Sequence, residues 1–428
     1  MQKVLIVAYY WPPAGGPGVQ RWLKFVKYLP DFGVEPIVFV PENPNYPIVD
    51  ASLLKEIPEG VRIIKEPIFE PHGLAALFSK KKTKRISSGI IQKHHKQSPM
   101  ERLFLWIRGN FFIPDARKHW VRPSVKTISK LVRDEKIKTI ITTGPPHSVH
   151  LIGLALKSRF AIRWIADFRD PWTGIGYHKK LKLTTPSKRK HKLLERQVLT
   201  TADKIVVTSK TTKREFEEIT PKKIDVITNG YDGKKIIAPL DGKFTLSHIG
   251  SLLTARNPIV LWQVLQELCR ENADFKVQLR IQLIGVVGDG VKESLAQHQL
   301  NDCTTEFGYV QHSKVLELQA KSQILLLLEI DSEETKGIIP GKLFEYLNAR
   351  RPILALGPEN WEAGMIVLET NSGKRFTPKD KLDLKNVLLE WFTAFQKGKL
   401  TSGSEAIEKY SRRELTRKLA NTIKWESS

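Results

Sequence analysis

Residues 324–356 constrain the fold more than any other stretch of the chain. Five consecutive apolar residues, Ile324-Leu-Leu-Leu-Leu328, lead into a polar loop, a short amphipathic run from Lys342 to Ala349, and a second apolar segment over 352–356. This pattern is a βαβ unit, and it places the loop and the helix start at the carboxyl edge of a parallel sheet, where small ligands bind in open α/β folds. Pro340 and Gly341 set up the helix start, and helical spacing puts Lys342 and Glu345 one turn apart. The free N–H groups and positive dipole end of such a helix suit an anion, a diphosphate above all. Glu345 either helps to hold that ligand or balances the dipole of an exposed helix.

The same alternation recurs along the chain. Strands are expected over 3–8, 34–41, 61–65, 139–142, 163–166 and 204–208, and again over 245–249, 278–284 and 305–310, with amphipathic helices between many of them. Such alternation predicts parallel, doubly wound sheets. Pro and Gly interrupt it over 233–243, which marks a domain boundary, and a charged helix is expected over 404–425.

Three strand ends carry residues with chemistry. After the first strand, the loop over 9–18 contains Gly15 and Gly16, a layout that serves either as a phosphate cradle or as a tight βα turn; its spacing is neither GxGxxG nor that of a P-loop. After the 139–142 strand comes His147, a general base or a cap for the following helix. After the 163–166 strand come Asp167, Arg169 and Asp170, which either take part in catalysis or pair with one another.

Length and charge narrow the class. With 428 residues the chain is long enough for two or three domains. Cys269 and Cys303 show no CxxC spacing, so neither a disulfide framework nor a zinc site is indicated, and a reducing cytoplasm fits. The first ten residues read as a buried strand and not as a signal segment, and no run approaches the roughly 20 apolar residues of a spanning helix. The net charge of +24 calls for an acidic partner: nucleic acid, an anionic membrane surface, or a phosphorylated small molecule. Residues 70–118 interleave aromatic and aliphatic side chains with the basic run 80–85, and a second basic run spans 179–190. That mixture suits contact with lipid headgroups, or else a solvated loop over a core helix.

Taken together, the motifs Pro12-Pro-Ala-Gly-Gly16 with Arg21, Asp167-Phe-Arg-Asp-Pro-Trp172, Ala202-Asp-Lys-Ile-Val206, Thr228-Asn-Gly-Tyr-Asp232, Ile249-Gly-Ser251, Gly308-Tyr-Val-Gln-His312 and Lys342-Leu-Phe-Glu-Tyr-Leu347 resemble those of the GT-B glycosyltransferases of family 4 (group 1), especially bacterial ones that build surface polysaccharide. The resemblance implies an α/β protein of two facing Rossmann-like doubly wound domains. These would be an acceptor-side domain over 1–235 carrying the 70–118 insertion, a nucleotide-sugar domain over 244–403, and a final helix over 404–428 crossing back to the first domain.

It further implies a hexosyltransferase-type enzyme that moves a sugar from a nucleotide-sugar to a glycan or lipid-linked acceptor with retention of configuration, with no cofactor and no metal. Such an enzyme would be cytoplasmic, peripheral at the inner face of the plasma membrane, and without a nucleic-acid partner. On this resemblance Arg256 and Lys342 would meet the donor diphosphate, and Glu345 the ribose hydroxyls. Gly15, Gly16, Gly250, Ser251 and Leu343 would complete the donor site, and Asp167, Asp170 and His147 would be the catalytic candidates. The family's pair of glutamates is incomplete here, because Gly337 stands where the first would be. Two other classes compete: a nucleotide-sugar epimerase or hydrolase of the same fold, and a basic protein that binds nucleic acid or a membrane surface.

Overall fold

The computed structural model describes residues 1–70, 99–174, 178, 181–233 and 237–424, so the basic run 80–85 and its neighbouring Leu74, Leu77 and Phe78 lie outside the described residues, as do Lys179 and Lys180. The chain divides into two compact units. One comprises Met1–Asn229 together with Arg412–Ser428, and the other Gly230–Ser411.

The first unit is built on seven strands: β1 (Gln2–Ala8), β2 (Val34–Pro41), β3 (Arg62–Glu66), β4 (Thr139–Gly144), β5 (Arg163–Phe168), β6 (Lys204–Val207) and β7 (Ile224–Val226). Their order is β3-β2-β1-β4-β5-β6-β7, and every pairing is parallel. The central strands are covered on both faces, so they read as unbroken apolar runs: Val4, Leu5, Ile6 and Val7 are all fully buried. The helix expected from 192 in fact spans Thr185–Thr201. Thr184 caps it by accepting from the Ser187 N–H, and a proline in its first turn needs no N–H acceptor.

The second unit has six strands, β8 (Phe244–Ile249), β9 (Leu279–Ile284), β10 (Thr304–Gly308), β11 (Ile324–Leu328), β12 (Ile353–Leu356) and β13 (Gly373–Phe376), in the order β10-β9-β8-β11-β12-β13 and again all parallel. Gly373 is required where β13 meets β12, because a Cβ there would sit 1.9 Å from the Ile353 carbonyl oxygen. In each sheet the strand order reverses beside its first strand, between β1 and β4 and between β8 and β11. At such switch points the loops leaving adjacent strands turn apart and open a crevice.

The last helix differs from its expected span. It runs Arg412–Lys424, because Ser404 and Ala406 adopt left-handed φ of 44° and 48° and the Glu405 N–H is donated to the Thr370 carbonyl instead of to a helical partner. Its apolar stripe, Leu415, Leu419 and Ile423, enters the core cluster of Val19, Trp22 and Val26 on the Pro17–Tyr28 helix. Arg163 donates to the carbonyls of Thr422 and Ile423 at 2.6 and 2.8 Å, placing a cation at the helix's negative end.

A buried polar contact joins the same Pro17–Tyr28 helix to β5. Asp167, 1% exposed, accepts from Arg21 Nη2 at 2.9 Å, Trp22 Nε1 at 2.9 Å and Thr143 Oγ1 at 2.8 Å, while Arg21 Nη1 donates to the Thr228 carbonyl at 2.7 Å. Removing one partner of a buried pair strands the other charge. Asp167→Ala is therefore expected to lower unfolding free energy by about 3–5 kcal/mol in urea titrations. Arg413→Ala, which breaks an ion pair to Asp31 that is 65% and 44% exposed, should change it by less than about 1 kcal/mol.

Candidate functional site

At the switch point of the second sheet, β8 ends at Ile249 and the chain turns through Gly250, whose φ of 99° suits glycine. Gly285, leaving β9, has to pass close behind: a Cβ there would lie 2.7 Å from the Gly250 carbonyl oxygen. The loop that follows is pinned at several points. Leu252 N–H donates to Val286 and Gly288 N–H donates back to Leu252, at 2.8 and 2.9 Å. Asn257 donates to the Gly290 carbonyl and accepts from Trp262 Nε1 at 2.7 Å. Thr254 packs so tightly on Gly288 and Gly290 that a Cβ at either would come within 2.8 Å of it. Arg256, in the short Thr254–Arg256 turn, is thus mounted on a rigid loop.

Across the switch point, Glu329 follows directly after β11. Arg256 Nε and Nη2 donate to its two carboxylate oxygens at 2.8 and 3.2 Å, in a forked pair whose side chains are 37% and 1% exposed. Oε1 of Glu329 also accepts the Ile330 N–H at 2.9 Å.

Lys342 supplies the second cation, at the first position of the Lys342–Ala349 helix. Its ammonium donates to the Ile249 carbonyl at 3.0 Å and lies 3.3 Å from His248 Nε2. Nδ1 of the buried His248 is 3.2 Å from the Leu326 carbonyl, which can only accept, so that nitrogen carries the proton and Nε2 is left as an acceptor for Lys342. His248 is accordingly neutral, held well below the usual imidazole range by burial and by Lys342. Burial, together with the charge of Arg256 and against that of Glu329, brings Lys342 itself down to about 7.

The rest of this helix has divided roles. Glu345 accepts from Gln319 Nε2 at 3.0 Å. Leu343 is a core residue, fully buried among Phe344, Leu347 and Ile353, and its N–H is donated to Pro340. Tyr346 braces the strand end by accepting the Ile249 N–H at 3.0 Å. Gly250 and Ser251 lie exposed at the turn. Arg256, Lys342, Gly250 and Ser251 therefore gather at one sheet edge, and Glu345 lies one helical turn further on.

The other sequence candidates belong to the first unit. Gly16 starts the Pro17–Tyr28 helix with φ 107°, and a Cβ on Gly15 would come 2.9 Å from Ile48. Asp167 does not pair with Arg169; its oxygens go to Arg21, Trp22 and Thr143, because the Pro17–Tyr28 helix packs over the end of β5. Arg169 instead donates to the carbonyls of Gly144 and Pro145. His147 does not cap the helix Ser148–Lys157. That place is taken by Asp115, which accepts both the N–H and the hydroxyl of Ser148 at 2.8 Å. The His147 ring stacks on Trp172 at 4.9 Å, with neither nitrogen partnered among the described residues, and burial keeps it neutral. Burial also raises Asp170, against the lowering effect of Arg169.

Glu329, His248, Gln319 and Asp115 escaped the sequence reading. Glu329 left a signal, a carboxylate immediately after five apolar strand residues. The others take their partners from segments distant in the chain.

Residues 18–235 match the family model described as Glycosyltransferase Family 4. No curated protein matches the chain by sequence. Among solved structures, sucrose-phosphate synthase from Thermosynechococcus elongatus is 13% identical with TM-score 0.62, over 99% of this chain and 98% of that one. A trehalose-6-phosphate protein from E. coli, bound with UDP-2-fluoro glucose, is 11% identical with TM-score 0.61 over 100% of both chains. HepE of Anabaena, in complex with UDP, is 12% identical with TM-score 0.60 over 99% of both. At such identities the likeness is one of fold, the pair of Rossmann-type sheets called GT-B. The family match covers 218 of the 428 residues, and on that ground the chain belongs to glycosyltransferase family 4 and is a glycosyltransferase.

Proposed function

We propose that the enzyme transfers a hexosyl group, with retention of configuration, from a nucleotide-sugar bound at the carboxyl edge of the second sheet to a glycan or lipid-linked acceptor in cell-surface polysaccharide assembly. The convergence of Arg256 and Lys342 on the β8–β11 switch point, beside the start of the Lys342–Ala349 helix, carries this reading. A nucleoside diphosphate is the anion such an arrangement suits, and the HepE and E. coli structures hold UDP and UDP-2-fluoro glucose.

The chemistry follows from charge. As the bond between the anomeric carbon and the β-phosphate oxygen breaks, negative charge gathers on that phosphate. The Arg256 guanidinium and the Lys342 ammonium, already in place, stabilise it without reorganising. Glu345, one oxygen of which is held by Gln319, accepts from the ribose hydroxyls. Gly337, in the place of the family's first glutamate, offers the donor sugar no side-chain contact, which leaves sugar selection to other groups.

A membrane-facing surface complements the lipid-linked acceptor in this reading. On the helix Pro99–Phe111, Met100, Leu103, Phe104, Trp106 and Phe111 are 63%, 51%, 48%, 38% and 60% exposed, on an element that also carries Arg102 and Arg108. Such a face suits an anionic lipid surface, to which each nearby Lys or Arg adds about 1 kcal/mol. No helix among the described residues is long and apolar enough to cross a membrane.

Calorimetric titration with UDP, GDP and TDP tests the donor site. One nucleotide should bind at micromolar concentration, and Arg256→Ala and Glu345→Ala should each weaken it about tenfold or more. Absence of binding, or variants that bind like wild type, would remove the basis of the assignment.

The pH dependence is specific to Lys342. Below about 7 it is already charged, whereas above that value binding has to take up a proton, so affinity should fall with rising pH by up to about tenfold per unit. The terminal phosphate keeps its full charge over that range, since its last pKa is about 6. Lys342→Ala should flatten the profile, and an already flat wild-type profile would place Lys342 outside the anion site.

In flotation assays the protein should rise with vesicles containing anionic lipid but not with purely zwitterionic ones, and the triple change Leu103→Ser, Phe104→Ser, Trp106→Ser should abolish the association. Equal flotation with both lipids, or an unaffected variant, would rule out this face as the contact.

A further inference from the structure

We propose that Glu329 is a positioning residue of the donor site, holding one edge of the Arg256 guanidinium so that the other is presented to the diphosphate. The inference rests on the donor-site reading above and goes beyond it by assigning a role to a residue that never touches the donor.

Glu329 engages the Nε–Nη2 edge of Arg256 and leaves Nη1 to other partners. The asymmetry of exposure fits this division of labour. The carboxylate is 1% exposed and the guanidinium 37%, so the cation faces solvent while its counter-ion lies behind it. The carboxylate is itself oriented, because its Oε1 accepts the Ile330 N–H and the Glu329 N–H is donated to the Leu356 carbonyl in the sheet. The base of Arg256 is equally fixed, by the packing of Thr254 on Gly288 and Gly290 and by Asn257. Both ends of the pair are thus built on rigid backbone, as positioning of a planar, forked donor requires.

The surrounding charges give Glu329 a second effect. The groups around it are Arg256 from the β8 loop, Lys342 from the helix start and neutral His248 from β8. Glu345, on the same helix as Lys342, is turned toward Gln319. Glu329 is the one charge among the influences on Lys342 that favours its protonated form. A carboxylate here therefore orients one cation and keeps the other charged.

A double-mutant cycle read by UDP titration at pH 7 tests the proposal. With Arg256 present, Glu329→Ala should weaken UDP binding about tenfold; in the Arg256→Ala background the same change should have an effect below about twofold, because the group it orients is gone and Lys342, relieved of the neighbouring Arg256 charge, depends less on Glu329 for its proton. An equal loss in both backgrounds would show a role in folding alone and overturn the proposal, as would tighter binding by Glu329→Ala, which would make Glu329 a competitor of the diphosphate. If Arg256→Ala binds UDP like wild type, the donor-site reading is what fails, and this inference with it.

Should Glu329→Ala fail to fold in urea titrations, the isosteric Glu329→Gln replaces it. The amide of that variant retains an acceptor for Arg256 but lacks the charge, so the decline of UDP affinity with pH should begin at a lower pH than in wild type. A Glu329→Gln profile that superimposes on the wild-type one would overturn the proposal.

Discussion

Holding two cations side by side, partly out of water and without cancelling either, is the constraint on which the second unit's site depends. Each would destabilise the other, and burial penalises both. Arg256 and Lys342 meet this demand differently. Arg256 has a buried carboxylate behind it, and Glu329 is able to sit there because β11 ends at the adjoining position. Lys342 is held by two neutral acceptors, the Ile249 carbonyl and His248 Nε2, and burial together with the Arg256 charge leaves its proton only loosely kept near neutral pH. The result is a positive sheet edge whose cations are already ordered by protein partners, the condition under which electrostatic stabilisation of an anion is most effective.

The first unit shows the opposite use of buried charge. Asp167 lies at a strand end where chemistry is commonly found, yet its oxygens are occupied by Arg21, Trp22 and Thr143. A carboxylate so fully satisfied acts as a brace between sheet and helix. His147 beside it is different, since its ring nitrogens lack partners among the described residues and its plane is fixed by Trp172. Of the three residues marked for catalysis, Asp167 is a structural element on this geometry, while His147 keeps two ring nitrogens without partners among the described residues.

Much of the architecture was legible because parallel sheets covered on both faces leave an unmistakable trace. Residues 34–41 and 324–328 were delimited to the residue, being apolar apart from Glu35 and bounded by glycine or charge. Helices were less legible where their signal lay in a cap: Thr184 starts a helix well before its apolar stripe begins, and the span from 404 to 411 looks helical until two left-handed residues and a hydrogen bond to Thr370 intervene. No local pattern discloses that bond, because its acceptor lies in another part of the chain.

The sequence by itself determined the class of fold, and it marked the carboxyl sheet edge as the expected place of the site, with Arg256, Lys342 and Glu345 as its candidate charged members. The fold class, the sheet edge and the pair Lys342 and Glu345 follow from local rules, namely strand period, helix-start chemistry and the position of loops after strands, whereas Arg256 was marked by the resemblance to family 4. Tertiary structure decided what those charges do. The partners of Arg256 and Lys342 are 73 and 94 positions away, and that of Asp167 is 146 away. Which of several nearby ions pair, and which are left for a ligand, depends on how strands from distant segments are ordered in a sheet. Strand order is a property of the packed core, and no window of sequence contains it.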